Sequence, residues 1–201
     1  MGIVEHRYDE PDRFVSGTVG EPGDRTFFLQ ARQGNRMTSV TCEKQQVGVL
    51  AEHVDRVLGE IGRLSGGLVA VPPPRDTAYD NEPLDAPIEE EFRVGTMTIA
   101  WDPHGSRIVI EMFAVSDEEP DLDLSEDAAQ GASAEELAKA EAARSGEVLV
   151  VCIDPPAARD FVARSMALVA AGRPACPFCE QPIDPDGHIC PRANGYRRSL
   201  F

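Results

Sequence analysis

One stretch limits the fold of this chain more than any other: KQQVGVLAEHVDRVLGEIGRL, residues 44–64. Val47, Leu50, Val54, Val57, Leu58, Ile61 and Leu64 recur mostly at steps of three and four, which puts them on one face of a helix. Gly48, Gly59 and Gly62 interrupt it, each costing a helix roughly 1 kcal/mol against Ala. A helix weakened in this way stands only when its apolar stripe is packed against a broad surface. The sequence on either side predicts that surface to be a sheet.

Upstream, RFVSGTV (13–19), RTFFLQAR (25–32) and RMTSVTCEK (36–44) are rich in β-branched and aromatic residues. Gly20-Glu21-Pro22-Gly23-Asp24 and Gln33-Gly34-Asn35 separate them, so the pattern predicts a three-stranded antiparallel meander. Gly66-Gly67 ends the helix. Five prolines in residues 71–91 predict an irregular connector. EFRVGTMTIAWD (91–102) and RIVIEMFAV (107–115) predict a hairpin, closed by Asp102-Pro103-His104-Gly105-Ser106 with Trp101 partly buried beside it. EVLVVCID (147–154) is almost continuously apolar and reads as a strand buried on both faces. Asp154 caps a second helix with Pro155 at its first position; Phe161, Val162, Ser165, Met166 and Val169 face inward, and Gly172 closes it.

The expected architecture is therefore α+β. An antiparallel β-sheet, made of a meander, a hairpin and one further strand, is packed by two helices within residues 1–172. Residues 117–127 read DEEPDLDLSED, with seven acidic positions, and predict a disordered acidic loop near 117–132. Ser133 and Glu136 form a capping box for a short helix reaching Arg144.

The net charge is −16, which argues against a general nucleic-acid or anionic-membrane surface, because both need a positive face. The opening MGIVEHRYDEPDR lacks the apolar core of a signal sequence, and no run reaches membrane-spanning length. These features predict a cytoplasmic protein. In that compartment thiols stay reduced, so clustered cysteines read as metal ligands.

Three of the five cysteines and one of the four histidines fall in CPFCEQPIDPDGHIC, residues 176–190. A Cys-x-x-Cys turn aims the sulfurs of Cys176 and Cys179 at one point. Pro182, Pro185 and Gly187 fold the chain back, and His188 and Cys190, two apart, share one side of an extended segment. The four predict a tetrahedral Cys₃His zinc site, a zinc-knuckle hairpin organising residues 173–201. Two alternatives stay open: three cysteines with a vacant fourth position, and a redox dithiol at Cys176 and Cys179, although nothing beside it resembles a thioredoxin unit. A closed Cys₃His shell leaves no position for substrate, and no Glu adjoins a ligand in the deaminase pattern. The ion is thus expected to be structural, and no catalytic residue is assigned. His53, at the edge of the helix stripe, and His104, in a turn, have no catalytic partner in view. Cys42 and Cys152 lie in predicted strands and read as core thiols. After the cluster comes PRANGYRRSLF, where Arg192, Tyr196, Arg197 and Arg198 are candidate contacts for a ligand or partner.

The tail GRPACPFCEQPIDPDGHICPRANGYRR resembles that of an uncharacterised actinobacterial family, a domain of unknown function in proteins of about this length. Its members end in GRPxCPxCxxPxDPxGHxCPRxNGYRR. HRYDEPDRFVSGTVGEPGDRTFFLQAR and CEKQQVGVLAEHVDRVL also resemble it. The resemblance implies no established activity. It implies a protein partner, since the family's genes sit beside those of a phosphatidylinositol-kinase-like and a histidine-phosphatase-like protein. The leading expectation is a non-catalytic, zinc-stabilised binding or regulatory protein acting through a partner. One alternative is an enzyme acting on a phosphorylated metabolite held by Arg192, Arg197 and Arg198. Another is an RNA-contacting zinc knuckle built on Tyr196 and the same arginines. The sequence does not set the oligomeric state.

Overall fold

The computed structural model describes residues 3–21, 23–116, 145–172, 176–179, 190 and 192. The expected acidic loop near 117–132 and the short helix after it lie outside the described residues. The elements are β1 (Val4–Tyr8), β2 (Arg13–Glu21), β3 (Asp24–Gln33), β4 (Arg36–Cys42), α1 (Lys44–Leu64), β5 (Glu90–Asp102), β6 (Arg107–Ala114), β7 (Glu147–Ile153) and α2 (Pro155–Ala170). After β1 the chain runs through two successive βββα units. In each, the acidic residue next to the last strand is the helix N-cap: Glu43 shares a capping box with Gln46, and Asp154 accepts from the Ala157 N–H at 2.8 Å.

The strands form one seven-stranded sheet in the order β1-β7-β6-β5-β4-β3-β2. The expectation of an antiparallel sheet is corrected here: β4 pairs with β5, and β1 with β7, in parallel, so the sheet is mixed. The cause is connectivity. The chain leaves β4 through α1 and a long segment before returning as β5, and a crossover of that kind brings a strand back in the same direction. β1 escapes the sequence reading because VEHRY is short and mostly polar, as an edge strand can be.

The sheet must also be curled. Laid flat, seven strands at about 4.8 Å spacing would set β1 and β2 ~29 Å apart. Yet only residues 9–12 join these two edges, and the step from Tyr8 to Arg13 reaches at most about 18 Å. Contacts across the gap agree: the Tyr8 hydroxyl lies 2.8 Å from Thr38 Oγ1 on β4, and the Arg36 guanidinium sits over the Tyr8 ring and donates to the Arg7 carbonyl.

Both helices pack on one face of the sheet. α1 buries Val47, Leu50, Ala51, Val54, Leu58 and Ile61, nearly the stripe its sequence predicts. Val47, Leu50, Val54 and Leu58 join Leu29, Val40, Ile110 and Leu149 in the main core. Gly66 and Gly67 follow the helix with φ of 57° and 91°, values that favour glycine. α2 stacks Phe161 on Phe14 with centroids 4.8 Å apart, and Ser165 meets Ser16, oxygen to oxygen, at 2.8 Å. That line fixes the inward face of α2, so Met166, one residue on, is 44 % exposed rather than inward. β7 is buried on both faces as expected: Leu149, Val151 and Ile153 enter the main core, while Val148 and Val150 pack with Phe113 opposite.

The irregular connector expected over 71–91 gives up its last two residues, Glu90 and Glu91, to β5; residues 65–89 form a strap around the β2 edge. Arg159 of α2, 5 % exposed, donates to the Pro72 carbonyl at 2.9 Å and pairs with Asp55. Arg13 meets Asp80 through two bonds, at 2.5 and 2.9 Å, and Arg164 meets it at 3.2 Å; both guanidinium groups also donate to the Glu82 carbonyl. Arg164 Nε bonds the Ser16 carbonyl on the open side of β2 at 2.6 Å. Beyond the edge, Leu84 packs on Val15 and Phe28, and Gln30 is bonded to the Asp85 backbone in both directions. The crossing is close: a Cβ at Gly17 would lie 2.5 Å from Leu84 Cγ.

Candidate metal centre

The described part of the cysteine segment begins six residues after α2 ends. Residues 177–179 make a turn, which brings the Phe178 N–H to Cys176 Sγ at 3.4 Å. Cys176 and Cys190 are buried and Cys179 is half-buried. Their three sulfurs lie within 4.8 Å of one another, close enough to hold a metal ion. The Cys176 thiol is drawn down to about 7, chiefly by the Cys179 backbone N–H and further by that of Phe178. These bonds favour the thiolate, the form that ligates metal.

The spacing tests what the cluster suits. Cys176 and Cys190 sulfurs are 3.7 Å apart. A disulfide would need about 2.05 Å. Two thiolates sharing a tetrahedral zinc, each bonded at about 2.3 Å, stand roughly 3.8 Å apart. The pair thus has the edge length of a tetrahedral thiolate site.

His188, Tyr196, Arg197 and Arg198 lie outside the described residues. Arg192 lies within them, and its Nη1 donates to the Phe178 carbonyl at 2.9 Å. It therefore ties the chain beyond Cys190 to the Cys-x-x-Cys turn, a link no spacing rule indicates.

The other singled-out residues stand apart from this cluster. Burial pushes the Cys42 thiol up to about 12, which leaves it protonated and unreactive. Burial also raises Cys152, against the lowering effect of Arg7. His104 occupies the hairpin turn, where its backbone N–H donates to the Asp102 carboxylate at 2.9 Å. His53 is exposed on α1 and borders a concavity of about 610 Å³ between α1 and β5, floored by Val49, Leu50, Val57, Met97 and Ile99. That concavity was not readable in sequence, because a helix face and a strand far along the chain supply its walls and each reads as core. No described helix is long and apolar enough to cross a membrane.

Compared with known proteins, residues 6–190 match one family model, described as a protein of unknown function, DUF3090. No curated protein and no solved structure matches the chain.

Proposed function

The chain belongs to the DUF3090 family, and on that premise we propose that it is a non-catalytic, zinc-stabilised binding protein that acts through a protein partner in the cytoplasm. The observation carrying this reading is the 3.7 Å separation of the Cys176 and Cys190 sulfurs, with the Cys179 sulfur in the same cluster. In this reading His188 supplies the fourth donor. Three thiolates and an imidazole fill a tetrahedral shell, leave no place for water or substrate, and make the zinc a weak Lewis acid. The ion's work is then to shape residues 173–201, a piece too short to own a core. The shaped segment presents Arg192, Tyr196, Arg197 and Arg198 to the partner. The sequence resemblance points to a phosphatidylinositol-kinase-like or histidine-phosphatase-like protein for that role.

The test has two stages. Elemental analysis of the purified full chain is expected to give one zinc per chain, lost in Cys179→Ser. The chain co-expressed with either candidate partner is expected to co-purify with it, and Arg197→Glu with Arg198→Glu to abolish that without loss of zinc. A chain without stoichiometric zinc, or a Cys179→Ser variant that keeps it, overturns the metal reading. Co-purification that survives the two charge reversals overturns the proposed contact.

A further inference from the structure

A second set of metal-ligating side chains meets at the opening end of β1. The parallel register sets Val4 beside Glu147 and His6 beside Leu149, so His6 and Glu147 lie on neighbouring strands, two residues apart along them. β5 begins at Glu90, but its pairing with β6 starts only at Val94, so its first residues run past the end of β6. There Glu91 reaches the same point. His6 Nε2 is 3.5 Å from Glu147 Oε2 and 3.9 Å from Glu91 Oε1, and all three donor atoms lie within 4.8 Å of one another. The His6 ring rests against Phe92, with centroids 6.2 Å apart. Its Nε2 is sealed from solvent and makes no hydrogen bond, which is unusual for a buried polar nitrogen.

We propose that His6, Glu91 and Glu147 bind a divalent first-row transition ion, at a centre separate from the cysteine cluster. The donor set argues the class. Imidazole suits zinc, iron and their neighbours, and carboxylates suit manganese and other hard ions, so one imidazole with two carboxylates fits Mn²⁺, Fe²⁺ or Zn²⁺. Calcium would call for more oxygen donors and no imidazole. Nitrogen and oxygen ligands bonded at about 2.1 Å stand roughly 3.0–3.4 Å apart on one ion. The two His6 separations, 3.5 and 3.9 Å, exceed that by up to about 0.9 Å, which rotation of the two partly exposed glutamate side chains closes. A protonated His6 offers one Nε2–H and satisfies one carboxylate; an ion at the centre engages all three groups. Three protein ligands leave positions open to water, the reverse of the closed thiolate shell. The three come from β1, β5 and β7, so the bound ion also staples the first strand to the sheet.

The experiment is a Mn²⁺ titration, followed by electron paramagnetic resonance, of the full chain carrying one equivalent of zinc, the amount the thiolates take and no more. Zinc occupies the thiolates, which are poor ligands for Mn²⁺. One Mn²⁺ is expected per chain, with affinity reduced at least about tenfold in His6→Ala and in the shape-conserving Glu91→Gln and Glu147→Gln. Bound Mn²⁺ should raise Tm in the parent and not in these variants, whose Tm without Mn²⁺ shows whether they are folded. Water-proton relaxation should rise above that of free Mn²⁺, reporting water retained on the ion. Binding that is unchanged in the three variants places the ion on another acidic stretch and overturns the site, as does failure to bind at millimolar Mn²⁺.

Discussion

The strap of residues 65–89 and the turn of residues 176–179 pose one problem and answer it in opposite ways. Neither is helix or strand, and neither owns a core. The strap is held at many points by side chains of the body: Arg13, Arg164, Arg159 and Gln30 grip its carboxylates and backbone. The turn is gathered at one point, where three sulfurs converge. A distributed grip is part of the cooperative body, because each anchor lies on β2, β3 or α2. A single focus is separable from the body, since whatever occupies it can be withdrawn without touching the sheet. The two regions should therefore fail independently.

Metal removal is the largest expected effect. A structural zinc contributes on the order of 10 kcal/mol to the segment it folds. Chelation of the full chain should raise proteolytic cleavage within residues 173–192 by at least about tenfold, because its described residues are gathered chiefly by the sulfur cluster. In the His6→Ala variant, which holds no ion between β1, β5 and β7, the urea midpoint of the body should stay where it was on chelation, since the core cluster draws on neither Cys176 nor Cys190. Limited proteolysis and urea titration on the same sample check both halves. A body that unfolds on chelation breaks the comparison.

Removing Asp80 comes next. Asp80→Ala leaves the nearly buried guanidinium groups of Arg13 and Arg164 without their shared carboxylate. Arg13 keeps Asp85 at 3.3 Å and both groups keep the Glu82 carbonyl, so the loss falls short of a fully orphaned buried charge and is about 2 kcal/mol. The urea midpoint should fall at constant slope while zinc content stays at its parental value. A loss of zinc in this variant would mean that strap and turn are coupled after all.

How much of this was legible depends on the range over which each signal acts. The bounds of α1 at Lys44 and Leu64, the meander, the Asp102–Ser106 hairpin turn and the Asp154 cap all rest on residues near one another in sequence, and the structure has them where the sequence puts them. Cys-x-x-Cys was legible because its geometry is local. β1 was not, since its pairing with β7 sets Val4 opposite Glu147, far along the chain, and its inward residues are only His6 and Tyr8. The strap was readable as irregular, but its attachment was not: Arg13, Arg159 and Arg164 look like ordinary surface charges until folding sets them around Asp80 and Pro72. His6, Glu91 and Glu147 have no mutual spacing to read, coming from three strands that only the curled sheet brings together.

The smallest effect separates the regions by pH. The Arg13 guanidinium, hydrogen-bonded to Asp80, holds that carboxyl below the usual carboxylate range, against the opposing pull of burial. The folded protein thus takes up this proton less readily than the unfolded chain. The stability Asp80 adds is complete above the ordinary aspartate value of about 4 and drains away as pH falls through the lower folded value. The Tm gap between the parent and Asp80→Asn should accordingly be constant above about pH 5 and close progressively below about pH 4. Because the proton binds in the strap, the same closure should be seen in chelated protein. A gap that persists undiminished at pH 3 would assign the stabilisation to something other than the Asp80 charge. A gap whose pH dependence changes on chelation would show that the cysteine turn reaches into the strap, and the two regions would then be one.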